Sequence, residues 1–143
     1  WPIILIIPAM IPIGTPLQTT GLSSLIASSI SEYASGLGLF WVLLIILIVT
    51  MITTDIINNA ATAVIMAPIS TGIALELGYA IEPFLMVVAV GASCAFLTPI
   101  GHQCNTVVMG PGNYKFTDYW RMGLPMDILI ILATIPMILF VWT

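Results

Sequence analysis

The stretch TMITTDIINNAATA, residues 50–63, interrupts an apolar region that is long enough to enter a lipid bilayer. The chain is almost purely aliphatic and aromatic over residues 37–49, and it turns apolar again over residues 60–67. A single membrane span would not accept so many polar groups without a partner or water. The pattern therefore predicts a re-entrant hairpin of two half-helices, 39–51 and 61–75, whose ends meet at a polar tip near Asn58.

The composition is that of an integral membrane protein. Charged residues make up 6% and hydrophobic residues 60% of the 143, and the mean hydropathy is +1.19. A soluble domain carries about 25% charged residues. The net charge is −4, and two basic residues cannot neutralise a phosphate track, so nucleic acid is not expected as a partner. No Ser/His or His/Glu arrangement with usable spacing occurs, so the sequence does not predict an enzyme.

A second interruption lies downstream of the hairpin. TPIG at residues 98–101 and GPGN at residues 110–113 end regular structure. Residues 83–112 are therefore predicted to form a broken helix whose first part ends at residue 97. With a hairpin over 37–77 and a final helix over 122–142, this helix completes a unit spanning residues 37–143. Residues 1–36 are predicted to form an incomplete transmembrane helix and an interfacial helix.

Two interrupted helices in one short stretch point to a binding site at membrane depth. Uncharged oxygen donors at such breaks suit a small hard cation such as sodium. The expected donors are the carbonyls of residues 98–101 and the side chains of Thr54, Asn58, Asn59, Thr62 and Asn105. Half-helices that start at Ala60 and at Asn105 would also point their N-termini toward the middle, which favours an anion.

Three ionisable residues have alternative interpretations. Asp55 either tunes an ion site or caps a half-helix and bonds a neighbouring backbone, and the second interpretation is preferred. His102 either donates to an anion or gates a proton, or it is a buried structural histidine. Asp127 is placed in the first turn of the last helix, where the helix dipole favours an acid.

The basic residues indicate the orientation. Lys115 and Arg121 are the only two, and they predict that loop 113–121 is cytoplasmic, in a plasma membrane or bacterial inner membrane. Neighbouring aromatic residues are expected to anchor this loop at the interface. They are Tyr114, Phe116, Tyr119 and Trp120.

These motifs resemble those of a known family. NNAATA at residues 58–63, followed by API at 67–69, resembles the Ser-Asn-Thr-Ala-Thr-Ala…Leu-Pro-Ile hairpin tip of the divalent anion:sodium symporters. TPIGHQCN at residues 98–105 is similar to their Pro-Ile-Gly-Thr-Pro-Pro-Asn loop. VMGPG at 108–112, Phe116, Asp118, GLP at 123–125 and the upstream TGL at 20–22 extend the resemblance over nearly the whole chain.

The resemblance implies one half of an inverted-repeat transporter, with a missing N-terminal repeat, a homodimer and elevator-type movement of a transport domain. Sodium is the implied coupling ion, and no cofactor is expected. Thr54, Asn59 and Gly101 match sodium-site positions of the family, whereas Asn58, Asn59 and His102 match positions that touch the anion. The predicted sodium site comprises Thr54, Asn58, Asn59 and Gly101. The predicted anion site comprises Asn58, Asn59, Thr62, His102 and Asn105.

Departures from the family pattern leave the anion open. Asn58 stands where the family has Ser, Ala60 where it has Thr, and HQC at 102–104 where it has Thr-Pro-Pro. Sulfate, a dicarboxylate and another oxyanion all fit. Sodium-coupled anion uptake is the main prediction. The alternatives are a sodium/proton or oxyanion antiporter of the same superfamily, or a non-transporting membrane assembly subunit.

Overall fold

The computed structural model describes Gly21 and residues 38–142. Helices dominate this part of the chain, and no strand occurs in it. The helices are α1 (Leu39–Ile56), α2 (Asn59–Leu77), α3 (Ile81–Ala92), α4 (Gln103–Met109) and α5 (Phe116–Trp142). The predicted all-α class is confirmed. Apart from Gly21, the transmembrane and interfacial helices predicted over residues 1–36 lie outside the described residues.

Three of these helices are long and apolar enough to cross a membrane: α1 with 18 residues, α2 with 19 and α5 with 27. The prediction that the first hairpin arm ends at residue 51 is wrong, because α1 continues to Ile56. The hydroxyl of Thr50 donates to the Ile46 carbonyl at 2.6 Å, and that of Thr53 donates to Val49 at 2.7 Å. These polar side chains are satisfied by the preceding turn of their own helix, so they do not end it. Re-entry of the hairpin at mid-depth stays a prediction.

The second arm, α2, has a defined cap at each end. The side-chain oxygen of Asn58 accepts from the Ala61 N–H at 2.8 Å, which satisfies one of the free donors of the first turn. Gly78 ends the helix in the left-handed conformation with φ 72°, and the following Tyr79 N–H bonds the Ala74 carbonyl at 2.9 Å. The break between the two arms is therefore confined to Ile57 and Asn58.

Helix α3 packs against α1, α2 and α5 and forms the centre of the bundle. A methyl group on Gly91 would lie 3.0 Å from the Thr50 Cβ and 3.2 Å from the Leu47 Cδ1, so this glycine lets α3 and α1 approach closely. The Ser70 hydroxyl donates to the Phe84 carbonyl at 3.1 Å and links α2 to α3. The buried apolar core includes Leu43, Leu47, Ile73, Phe84, Val87 and Ile135.

Two further predicted helix boundaries are wrong. Helix α3 ends at Ala92 rather than at residue 97, and residues 93–102 are not helical. Helix α5 begins at Phe116 rather than at residue 122, because the Asp118 carboxylate accepts from the Lys115 N–H at 2.8 Å and closes the first turn. Much of the predicted loop 113–121 is therefore helical. Asp127 lies well inside α5 instead of in its first turn.

Candidate functional site

The structure has two breaks in its helices: the first break is the turn between α1 and α2, and the second is the non-helical segment 93–102 that follows α3. The two breaks meet at the hydroxyl of Thr54. This hydroxyl lies 2.9 Å from the side-chain oxygen of Asn59, at the start of α2, and 2.9 Å from the carbonyl of Ala92, the last residue of α3. Thr54 is fully buried in the last turn of α1. One side chain thus joins the end of α1, the start of α2 and the end of α3.

Three oxygens therefore converge with one hydroxyl proton between them. A hydroxyl donates to only one acceptor at a time, so the Asn59 and Ala92 oxygens are not both satisfied by Thr54. Either a cation takes up the remaining lone pairs, or the Asn59 amide turns so that its NH₂ faces the hydroxyl. Uncharged oxygens of these kinds are the ligands expected for sodium.

The second break is pressed against the same end of α1. A methyl group built on Gly101 would lie 2.7 Å from the Thr54 carbonyl oxygen, 2.8 Å from the Ala95 Cβ and 3.0 Å from the Asp55 Cα. Only glycine leaves room for this contact between backbones. The Gly101 N–H donates to the Thr98 hydroxyl at 3.3 Å, which fixes the turn. Thr54, Asn59 and Gly101 are thus brought together.

Asp55 connects the two breaks directly. One of its carboxylate oxygens accepts from the N–H groups of Leu97 at 3.0 Å and Thr98 at 3.3 Å. The Thr98 hydroxyl donates in turn to the Asp55 carbonyl at 2.6 Å. The preferred interpretation, a bond to the backbone, agrees with these contacts, but the backbone lies on a distant segment rather than a neighbouring one. Asp55 holds the 93–102 segment onto α1.

The remaining predicted site residues occupy different surroundings. Asn58 is exposed and its side-chain oxygen caps α2. His102 is exposed as well, so its interpretation as a buried structural histidine is wrong; its Nδ1 accepts from the Cys104 N–H at 3.2 Å and caps α4. Thr62 is fully buried in the first turn of α2, and its hydroxyl has no hydrogen-bond partner among the described residues.

Asn105 links the non-helical segment, α4 and α5 through hydrogen bonds. Its side-chain NH₂ donates to the Ala95 carbonyl at 2.9 Å, across the non-helical segment. The Tyr119 hydroxyl donates to the Asn105 carbonyl at 2.7 Å, so α5 supports α4. The sequence suggested Tyr119 only as an interfacial anchor, and its spacing carried no signal for this contact. The Ala92 carbonyl was also missed, because a backbone oxygen has no signature in the sequence.

The oxygen donors of the site are uncharged. Within the described part of the chain, no three His, Cys, Asp or Glu side chains lie close enough together to hold a metal ion. Thr54, Asn59 and the carbonyl of Ala92 instead form a cluster of uncharged oxygens at a helix break.

Several proteins that are similar to this chain are transporters by name. The family model for the sodium:sulfate symporter transmembrane region matches residues 1–143. The uncharacterized transporter YfbS of Escherichia coli is 38% identical over 138 residues, which cover 96% of this chain and 23% of that protein. A sodium/sulfate cotransporter of Chlamydomonas reinhardtii is 28% identical over 134 residues, which cover 93% of this chain and 15% of that protein. A sodium-dependent dicarboxylate transporter of Caenorhabditis elegans is 27% identical over 135 residues, which cover 94% of this chain and 24% of that protein. The chain thus spans at most 24% of the length of these relatives.

Proposed function

Because the chain belongs to the sodium:sulfate symporter family, we propose that it forms one half of the site of a secondary active transporter. The transporter couples sodium entry to uptake of a divalent anion, sulfate or a dicarboxylate. Relatives named as a dicarboxylate transporter and as a sodium/sulfate cotransporter motivate this choice of substrates. The protein acts as a transporter and not as an enzyme.

The observation that carries the proposal is the junction at Thr54. Sodium is held by the converging oxygens of Thr54, Asn59 and Ala92, with backbone carbonyls around Gly101 completing the shell. The family resemblance supports this assignment, since Thr54, Asn59 and Gly101 match its sodium positions. Sodium binding draws α1, α2, the end of α3 and the 93–102 segment together, because each supplies an oxygen to the shell.

The anion is held at the start of α2. No acidic residue lies in the first turn of this helix, and its N-terminus carries a partial positive charge of about half an elementary charge. The amide groups of Asn58 and Asn59 add hydrogen-bond donors. With no basic side chain at the breaks, the bound sodium ions supply the remaining positive charge. Anion binding would therefore depend on sodium.

The rest of the transport machinery lies in a second, inverted repeat. The chain matches less than a quarter of several relatives that are transporters by name, in agreement with a contribution to only part of a site. A homodimer and elevator-type movement of the transport domain belong to the same proposal, and the family resemblance supports them. Lys115 and Arg121 favour a cytoplasmic side for the start of α5 under the positive-inside rule.

Uptake in proteoliposomes tests the proposal. We expect the complete protein to accumulate labelled sulfate or succinate when sodium is outside, and to lose most of this uptake when choline replaces sodium. Anion uptake that persists without sodium, or sodium/proton exchange without anion, would instead indicate an antiporter. A purified, folded protein that moves neither ion would indicate an assembly subunit.

Asn58 offers a test of the anion position. Asp and Ser are both good N-cap residues, so Asn58→Asp and Asn58→Ser should each change the free energy of unfolding by less than about 0.5 kcal/mol. Only Asp adds a negative charge beside the anion, which should raise the KM for sulfate or succinate at least about tenfold. Steady-state uptake and thermal unfolding measure the two effects. Equal anion KM values in both variants would contradict the placement of the anion at Asn58.

A further inference from the structure

Helix α4 is held in the fold by hydrogen bonds rather than by packing. It has seven residues, and none of them is buried among the described residues. A helix this short is not stable on its own. A cavity of about 450 Å³ lies between α4 and the start of α5, so the two helices are not closely packed there. The cavity is lined by residues of both helices, among them Cys104, Asn105, Val108, Tyr119 and Met122.

The hydrogen bonds of α4 run in two directions. The Asn105 NH₂ donates to the Ala95 carbonyl at 2.9 Å, and the Thr106 hydroxyl donates to the Pro99 carbonyl. These two bonds join α4 to the non-helical segment that precedes it. The bond from the Tyr119 hydroxyl to the Asn105 carbonyl, at 2.7 Å, is different because its donor lies in α5. Of these three bonds, only the last connects α4 to another helix.

The Tyr119 side chain bridges the space between the two helices. It is half-buried, and it lines both the 450 Å³ cavity and a second cavity of about 200 Å³ that is also lined by Phe96 and Gly123. Because a tyrosine ring turns about only two bonds, it can hold its hydroxyl in place at a low cost in conformational entropy. The Asn105 carbonyl has two lone pairs, so the bond to Tyr119 does not compete with the hydrogen bonds inside α4.

We propose that Tyr119 is a positioning residue that holds α4 in place and thereby fixes His102, the residue that caps α4. Its bond is to a backbone carbonyl, so loss of the hydroxyl releases α4 without removing any predicted site side chain. The preceding segment stays in place, since Asp55 holds it onto α1. Tyr119 therefore acts on the anion rather than on sodium. This consequence rests on the proposed function, because His102 is a predicted anion contact, whereas the anchoring of α4 does not.

Hydrogen exchange of the complete protein, measured by mass spectrometry, tests the anchoring of α4. In Tyr119→Phe the amides of residues 103–109 should exchange about fivefold faster than in wild type, because one hydrogen bond is lost, and those of α1 should be unchanged. Tyr114→Phe is the matched control. Tyr114 lines the same cavity, and its ring lies 6.3 Å from the Tyr119 ring, but its hydroxyl has no hydrogen bond within the part of the chain that the structure describes. This variant should exchange like wild type.

Uptake by the same proteins tests the consequence for transport. At saturating sodium, Tyr119→Phe should raise the KM for sulfate or succinate about fivefold and leave the maximal rate within about twofold. A general loss of stability would instead lower the maximal rate, because fewer molecules would be active, and it would leave the KM unchanged. Tyr114→Phe should keep both values.

The possible results separate this proposal from the proposed function. Unchanged exchange of α4 in Tyr119→Phe would overturn the anchoring. Faster exchange with an unchanged anion KM would overturn the positioning role. A Tyr119→Phe protein that does not fold, beside a folded Tyr114→Phe protein, would also overturn it, because the hydroxyl would then be required for the whole bundle. If wild type transports neither anion, the proposed function fails, and the exchange rates still decide whether Tyr119 anchors α4.

Discussion

Replacing Gly101 with Ala is expected to raise the KM for sodium at least about tenfold and to remove most uptake at moderate sodium concentrations. The added methyl group would lie 2.7 Å from the Thr54 carbonyl oxygen and 3.0 Å from the Asp55 Cα, both backbone atoms. Neither atom can move aside as a flexible side chain would, so the 93–102 segment must shift away from α1. Overpacking of this kind costs about 1–3 kcal/mol, and about 1.4 kcal/mol corresponds to a tenfold change in affinity.

Gly110 provides the matched control for this substitution. It lies at the end of α4 with φ −67°, and a methyl group there would meet nothing within 4 Å. Gly110→Ala should therefore transport like wild type. The sodium KM of both variants is measured by uptake, and thermal unfolding in detergent reports whether each is folded. A Gly101→Ala protein with wild-type sodium KM would contradict the close packing of the second break on Thr54.

The position of both breaks could be predicted because their signals are local. Asn58 and Asn59 belong to a polar interruption of an apolar region, and TPIG at residues 98–101 combines a proline with a glycine. Side chains that compete with helical hydrogen bonds, or backbones that cannot continue them, act over a few residues. The hairpin tip was therefore expected near Asn58, where the structure has the turn between α1 and α2.

The helix ends and the links between the breaks were not predictable in the same way. Thr50 and Thr53 looked like helix-ending residues, yet their hydroxyls bond the preceding turn. Nothing local marks Ala92 as the end of α3, because its carbonyl accepts from Thr54, which lies in another helix. Asp55 likewise finds its partners in the distant 93–102 segment. The end of α3 and the position of Asp55 depend on tertiary contacts, and a single sequence does not display such contacts.

In the proposed function, the Thr54 junction would also couple the sodium site to the anion site. Asn59 contributes its side chain to the junction and is the first residue of α2, whose N-terminus faces the proposed anion. A cation held by the Asn59 oxygen would fix the orientation of this amide and leave its NH₂ free to donate. In the proposed function, occupation of the sodium site would thus prepare the anion site without a basic residue.

Replacing Thr54 with Val removes this junction while preserving the shape of the side chain. The substitution leaves the Ala92 carbonyl and the Asn59 amide without the hydroxyl that lies 2.9 Å from each. Sodium would lose one of its oxygen ligands, and the expected rise of about tenfold or more in the KM for sodium corresponds to a loss of about 1.4 kcal/mol or more of binding free energy. Because Asn59 also contacts the anion in the proposed function, the KM for sulfate or succinate should rise with it. Thr54→Ser keeps the hydroxyl and should retain most of the sodium affinity.

The adjacent Thr53 provides a control that distinguishes loss of a sodium ligand from loss of a hydroxyl that bonds only its own helix. Its hydroxyl bonds only the Val49 carbonyl of its own helix, so Thr53→Val should change the sodium KM less than about twofold. Sodium-dependent uptake and thermal unfolding are measured for Thr54→Val, Thr54→Ser and Thr53→Val in parallel. A lower unfolding temperature with an unchanged sodium KM in Thr54→Val would make Thr54 a structural residue. A raised KM at wild-type stability would instead identify its hydroxyl as a sodium ligand, because loss of a structural hydrogen bond would lower the unfolding temperature.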